Sequence, residues 1–288
     1  MKNCKKSIFA LTIVVFLLLG LFSGIVTAAA EKSTLQKVLE RGYLIVGTGS
    51  ANVPWHFMDE SGKLVGFDIE MARILAMGLF DDPDKVKFVE QSPDARIPNL
   101  LTGKVDIVIQ FMTISPERLQ MVAFSVPYYT EGCGLILPKN GKYKNYQEMV
   151  EAIQKGETVT VAVLQNVDAA KMVQAVIKGA KDEQYENQAL LYQAINSGRA
   201  DGAATDMSSV MWLAKKQPDK YINPNRGLWP QNYGAAMRPD DQVWINFVNG
   251  VFLDAMTATT YPLYNDAYEK FFGEKLPAPT MGKPAMYR

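Results

Sequence analysis

Short β-rich runs alternate with segments of helical spacing along most of the chain, and this alternation limits the possible folds more than any other feature. "YLIVGT" (43–48) is a β-rich run, and "GFDIEMARILAMGL" (66–79) places apolar residues at helical spacing. "KVKFVE" reads as a strand, "PDARIPNLLTG" as a helix ended by Gly103, and "VDIVIQF" as a buried strand. The order β-α-β-α-β predicts an α/β unit with a mostly parallel sheet. A second set starts near Leu135. "GLILPK" and "TVTVAVLQ" read as strands, and "NYQEMVEAIQKG", "DAAKMVQAVIKGA" and "QALLYQAINSGRA" as helices. "DGAATD" is a short small-residue strand and "SSVMWLAKKQ" a helix ending before Pro218. "YGAAMRP" (233–239) is predicted as a further strand, followed by two amphipathic helices and an extended tail from "EKLPAPTMGK" onward. "IPNLLTGKVDIVI" and "LYQAINSGRADGAAT" use one device twice: helix, Gly, basic residue, small apolar residue, Asp, strand.

The first 30 residues differ in kind. Lys2, Lys5 and Lys6 precede an apolar run from Ile8 to Val26, and Ala28 and Ala30 form an A-x-A pattern. This is the layout of a secretory signal peptide cleaved after Ala30, so a periplasmic protein is expected. The apolar run is nearly long enough to span a bilayer, which leaves an uncleaved N-terminal anchor as the alternative.

The 30 basic and 30 acidic residues of the 288 balance, so no broad basic surface for nucleic acid is expected. Removing residues 1–30 takes Cys4 and leaves Cys133, so no internal disulfide is possible and Cys133 reads as a small buried hydrophobe. One His and one Cys cannot make the common zinc sets, and no metal or cofactor is expected. "VGTGS" lacks the ending of a phosphate loop and the glycine spacing of a dinucleotide site.

Four stretches carry a family resemblance. They are "VGTGSANVPWHFMDESGKLVGFDIEMARILA", "RIPNLLTGKVDIVIQFMTISPERLQMVAFSVPYY", "VAVLQNVDAA" and "SGRADGAATD". Together they resemble the extracytoplasmic solute-binding proteins (family 3) that serve ABC importers of polar amino acids. The resemblance implies the type II periplasmic-binding-protein fold. That fold has two lobes, each a mixed, mostly parallel sheet flanked by helices, joined by two hinge strands. It puts the first lobe at 31–130 plus 233–288 and the second at 131–232, with crossings near "YYTEG" and "WPQNYG". It implies a monomer that captures a small polar solute and delivers it to an ABC permease.

It also implies a site. A free amino acid brings a carboxylate and an ammonium, and each needs a partner once the cleft shuts out water. Arg118 matches the family's carboxylate-binding Arg, and its planar fork suits that role; Thr113 matches a Ser or Thr beside it. Asp206 matches the ammonium-binding Asp. Without the resemblance, Arg118 could as well pair with Glu117, and Asp206 could cap a helix. Trp55 is expected near the cleft wall, or else as a packing aromatic. Phe111 and Gln110 stand where some relatives carry small hydroxyl residues, which would make the pocket narrower, and Met112 beside them is expected among the ligand-binding residues. Three positions depart from relatives. Gly49 stands where some carry an acid, and Asn52 where several carry a stacking aromatic. "QNVDAA", with Asn166 and Asp168, replaces a hydroxyl-rich turn. Either Asp168 points away as a helix cap, or the ligand is not an ordinary α-amino acid. His56, the single histidine, reads as structural.

Two other functions remain. A prephenate or arogenate dehydratase uses the same fold but needs an acid where this chain has Ala170. An accessory or sensory binding protein is the third reading.

Overall fold

The computed structural model describes residues 32–283. The signal-peptide expectation for 1–30 lies outside them. Among the described residues no helix is long and apolar enough to cross a membrane.

The chain runs α1 (Thr34–Arg41), β1 (Leu44–Thr48), β2 (Ala51–Asn52), β3 (His56–Met58), β4 (Leu64–Val65), α2 (Phe67–Phe80), β5 (Val86–Glu90), α3 (Arg96–Leu101), β6 (Ile107–Val108), α4 (Pro116–Leu119), β7 (Ala123–Phe124) and β8 (Tyr129–Pro138). It continues with α5 (Tyr146–Gln154), β9 (Thr160–Leu164), α6 (Ala169–Val176), β10 (Lys181–Tyr185), α7 (Gln188–Asn196), β11 (Gly202–Asp206), α8 (Met207–Lys216), β12 (Tyr221–Ile222), β13 (Gly227–Tyr233), β14 (Ala236–Met237), α9 (Gln242–Thr257) and α10 (Tyr261–Phe272).

Two sheets organise two lobes. The first has the order β5-β1-β6-β14-β7, with β5, β1 and β6 parallel and β14 antiparallel to β6 and β7. The second has the order β10-β9-β11-β8-β12, with β13 also on β8; β10, β9 and β11 are parallel and β8 runs against β11. Both sheets are therefore mixed, and their parallel strands are covered by helices, as buried runs such as "TVAVL" demand. The long strand β8 pairs antiparallel with β13, Thr130 opposite Asn232 and Tyr129 opposite Tyr233. β8 begins within "YYTEG" and β13 ends within "WPQNYG".

Several local expectations are corrected. "YGAAMRP" is not one strand: β13 ends at Tyr233 and β14 begins at Ala236, because the chain changes sheets between them. "VDIVIQF" holds strand pairing only at Ile107 and Val108. Its end turns at Phe111, whose φ of 35° lies in the left-handed region that non-glycine residues avoid. The polar strand β10, "KDEQY", carried no hydrophobic signal to find it by.

The lobes meet on their inner faces. The Trp55 indole donates to Ser208 Oγ at 3.0 Å, and Ser209 Oγ donates to the Val53 carbonyl at 2.5 Å. At the rim Lys171 of the second lobe pairs with Glu117 of the first.

Candidate functional site

Between the lobes lie two adjoining chambers that share Phe111 and Leu164 in their walls. The inner one is tight, about 30 Å³, and is lined by Arg96, Thr113, Arg118, Asn166, Asp168, Asp206, Gln231 and Tyr233 among others. The outer one holds about 380 Å³ and is lined by Gly49, Ser50, Asn52, His56, Glu90 and Gln110 from one side and Glu186–Ala189 from the other.

Arg118 sits in the short helix that Pro116 opens, 4% exposed. Its Nη1 donates to the Thr113 carbonyl at 2.8 Å and its Nη2 to Asn166 Oδ1 at 3.4 Å. It does not pair with Glu117. Its ion partner is Asp168 of the opposite lobe, Nη2 to Oδ2 at 3.2 Å. That Oδ2 makes no hydrogen bond in good geometry, so the contact is a Coulombic pair between two buried charges. Burial pushes the Arg118 pKa down, and Asp168 pulls it back up. Asp168 starts α6 but its side chain caps no backbone N–H, which corrects the helix-cap reading. The turn Asn166-Val167-Asp168 is held by Asn166, whose Oδ1 accepts the Asp168 N–H at 2.9 Å, and so aims Asp168 inward.

Asp206 ends β11 at the mouth of the second sheet, where parallel strands deliver their side chains to a cleft. It is 3% exposed and accepts the Tyr233 hydroxyl. It does not cap α8, for its side chain takes no backbone N–H there. Burial pushes its carboxyl up to about 6, while the Tyr233 hydroxyl and the Asn52 amide favour the charged form. Thr113 Oγ1 donates to Gln231 Oε1 at 2.7 Å. Phe111 stacks on His56, ring centroids 4.7 Å apart, and carries the Arg96 guanidinium over its face at 5.5 Å.

Two expected residues are not at the cavity wall. Trp55 is fully buried against Phe67, Tyr129, Tyr233 and Phe272, with centroids 4.8–5.9 Å away, so its packing role prevails. Met112 points into a small core cluster with Leu100 and Val122.

Sequence reasoning missed five residues. Arg96 lines the inner chamber, its Nη1 on the Gln110 carbonyl at 3.1 Å, its pKa pushed down to about 9 by burial and by Arg118. Gln231 and Tyr233 enter from the second crossing strand. Glu131, on the first crossing strand, is 5% exposed; burial and the charge of Asp206 push it up to about 8. Asp68 holds His56 Nδ1 at 2.8 Å, accepts the Phe111 N–H at 2.8 Å and takes the Tyr128 hydroxyl at 2.9 Å. Arg96 opened one of the stretches that carry the resemblance, the one signal that could have found it.

Comparison with known proteins adds to this geometry. The model of the bacterial extracellular solute-binding proteins, family 3, matches residues 44–274. A glutamine-binding protein of Geobacillus stearothermophilus is 33% identical over 72% of this chain and 78% of its own length. The L-cystine-binding protein TcyJ of Escherichia coli is 28% identical over 86% and 89%. Among solved structures, holo ArgBP from T. maritima superposes with a TM-score of 0.67 at 30% identity, over 82% of this chain and 99% of that one. The ancestral amino acid-binding protein AncCDT-1, a precursor of cyclohexadienyl dehydratase, gives 0.70 at 33% identity, over 83% and 100%. The architecture is thus the two-lobed type II periplasmic-binding-protein fold.

Proposed function

Since this chain belongs to the bacterial extracellular solute-binding proteins, family 3, we propose that it captures a small amino acid outside the cytoplasm and hands it to an ABC-type permease. The observation that carries this reading is that Arg118 of the first lobe and Asp206 of the second line one chamber. Opposite charges on the walls of one chamber suit the two ends of a zwitterion. In this reading Arg118 takes the carboxylate with Thr113 beside it, and Asp206 takes the ammonium. The ligand's side chain runs past Phe111 towards Asn52 and the outer chamber. The lobes follow the boundaries 31–130 with 233–288, and 131–232, and the protein acts as a monomer. Relatives that bind glutamine, cystine and arginine support the ligand class by analogy.

The reading includes no turnover. A dehydratase needs an acid free to move a proton. Here Ala170 is exposed on α6, and the nearby Asp168 is tied to Arg118.

A melting-temperature screen of the purified protein with L-amino acids tests the proposal, since a ligand that binds the native state raises the transition by mass action. One chemical class should stabilise, and Arg118→Ala and Asp206→Asn should each weaken binding by ~30-fold or more (about 2 kcal/mol). Stabilisation by no amino acid, or full binding by both variants, would overturn it.

A further inference from the structure

A larger cavity, about 1130 Å³, lies along the crossing strands and shares no lining residue with the cleft chambers. The strands turn Gln231 and Tyr233 to the cleft, while Tyr129–Gly132, Trp229 and Pro230 line this hinge-side groove. Its walls come from both lobes: Met211 and Trp212 of α8 on one side, Tyr268 and Phe272 of α10 on the other.

Its one deeply buried charged side chain is Glu131. Oε1 accepts the Gly132 N–H at 2.8 Å and the Ser208 N–H at 3.4 Å, with the Ser208 hydroxyl also nearby. Oε2 is buried with no donor in hydrogen-bonding geometry. In the empty groove burial and Asp206 hold this acid protonated up to about 8, and a cation beside Oε2 would favour loss of that proton and complete the carboxylate. The surrounding rings suit the same ligand, because aromatic faces attract organic cations. Two of the protein's own ammonium groups already use them: Lys216 Nζ lies 5.5 Å from the Trp212 ring and Lys270 Nζ 5.0 Å from the Phe271 ring.

We infer that the hinge-side groove is a second ligand site, for an organic ammonium with an apolar body. The cation meets Glu131, and the body lies between Trp212 and Phe272. Because both lobes form the walls, the occupant braces the interlobe angle from outside the cleft.

The test is titration of the mature protein with phenethylamine, followed by tryptophan fluorescence and calorimetry. Saturable binding is expected. It should weaken at least tenfold when 2-phenylethanol replaces the amine, and at least tenfold in Glu131→Gln. Met211 is 59% exposed, so Met211→Lys should fold normally and also weaken the amine at least tenfold. No saturable binding, equal affinity for the alcohol, or undiminished binding by Met211→Lys would overturn the assignment.

Discussion

At the scale of residues, the decisive contact is Arg118 with Asp168. In the proposed function a ligand carboxylate would share that guanidinium with a carboxylate the protein already supplies. Two like charges on one partner repel, and truncating the internal competitor should help the ligand. Asp168→Asn keeps the shape and removes the charge. The expected outcome is roughly tenfold tighter amino acid binding (about 1.4 kcal/mol), read by calorimetry. Weaker binding would instead make Asp168 a direct partner of the ligand. Asp206 gives a pH dependence whose sign follows from its raised pKa. Its carboxyl rises from 3.8 to about 6 on folding, so the empty protein holds a proton that the unfolded chain has released. Stability from this group is therefore present at low pH and lost as pH climbs from about 4 to 6. The proposed ammonium binding would need the ionised form and runs the other way. Affinity should be flat above about pH 6 and fall on acidification, while Asp206→Asn should bind weakly with no such slope.

At the scale of elements, the turn from β6 to α4 is where sequence and structure separate most. The order of strands and helices was legible because hydrophobic period and glycine stops mark it locally. The pair Arg118 and Asp206 was legible because the motif names residue types and the strand end predicts direction. The supports were not. Asp68 lies 43 residues from Phe111 yet accepts its backbone N–H, and only the packing of α2 against the sheet brings them together. Likewise β13 holds Pro230 and little alternation, so it hid Gln231 and Tyr233. Phe111 keeps its left-handed φ because Asp68 fixes the N–H and His56 stacks on the ring. Asp68→Ala should leave His56, the Phe111 N–H and the Tyr128 hydroxyl without their acceptor. The cost should be about 3 kcal/mol, seen as a lower melting temperature, with the Phe111 wall loosened and ligand affinity reduced as well. An unchanged melting temperature would deny Asp68 that role.

At the scale of the whole molecule, two lobes joined by antiparallel strands give one mechanical freedom, rotation about the hinge. The cleft and the groove lie along the same strands and are both walled by the two lobes. Any occupant of either that prefers one interlobe angle must, by linkage, change the affinity of the other by the same factor.

The hydrogen bond from the Trp55 indole to Ser208 crosses that junction, with the ring wholly enclosed. Rotation that parts the lobes would break it and open the indole N–H edge to water. The protein therefore carries its own optical gauge: emission from Trp55 should shift to the blue as solute is added, and Trp55→Phe should silence most of that signal without attaching any external dye.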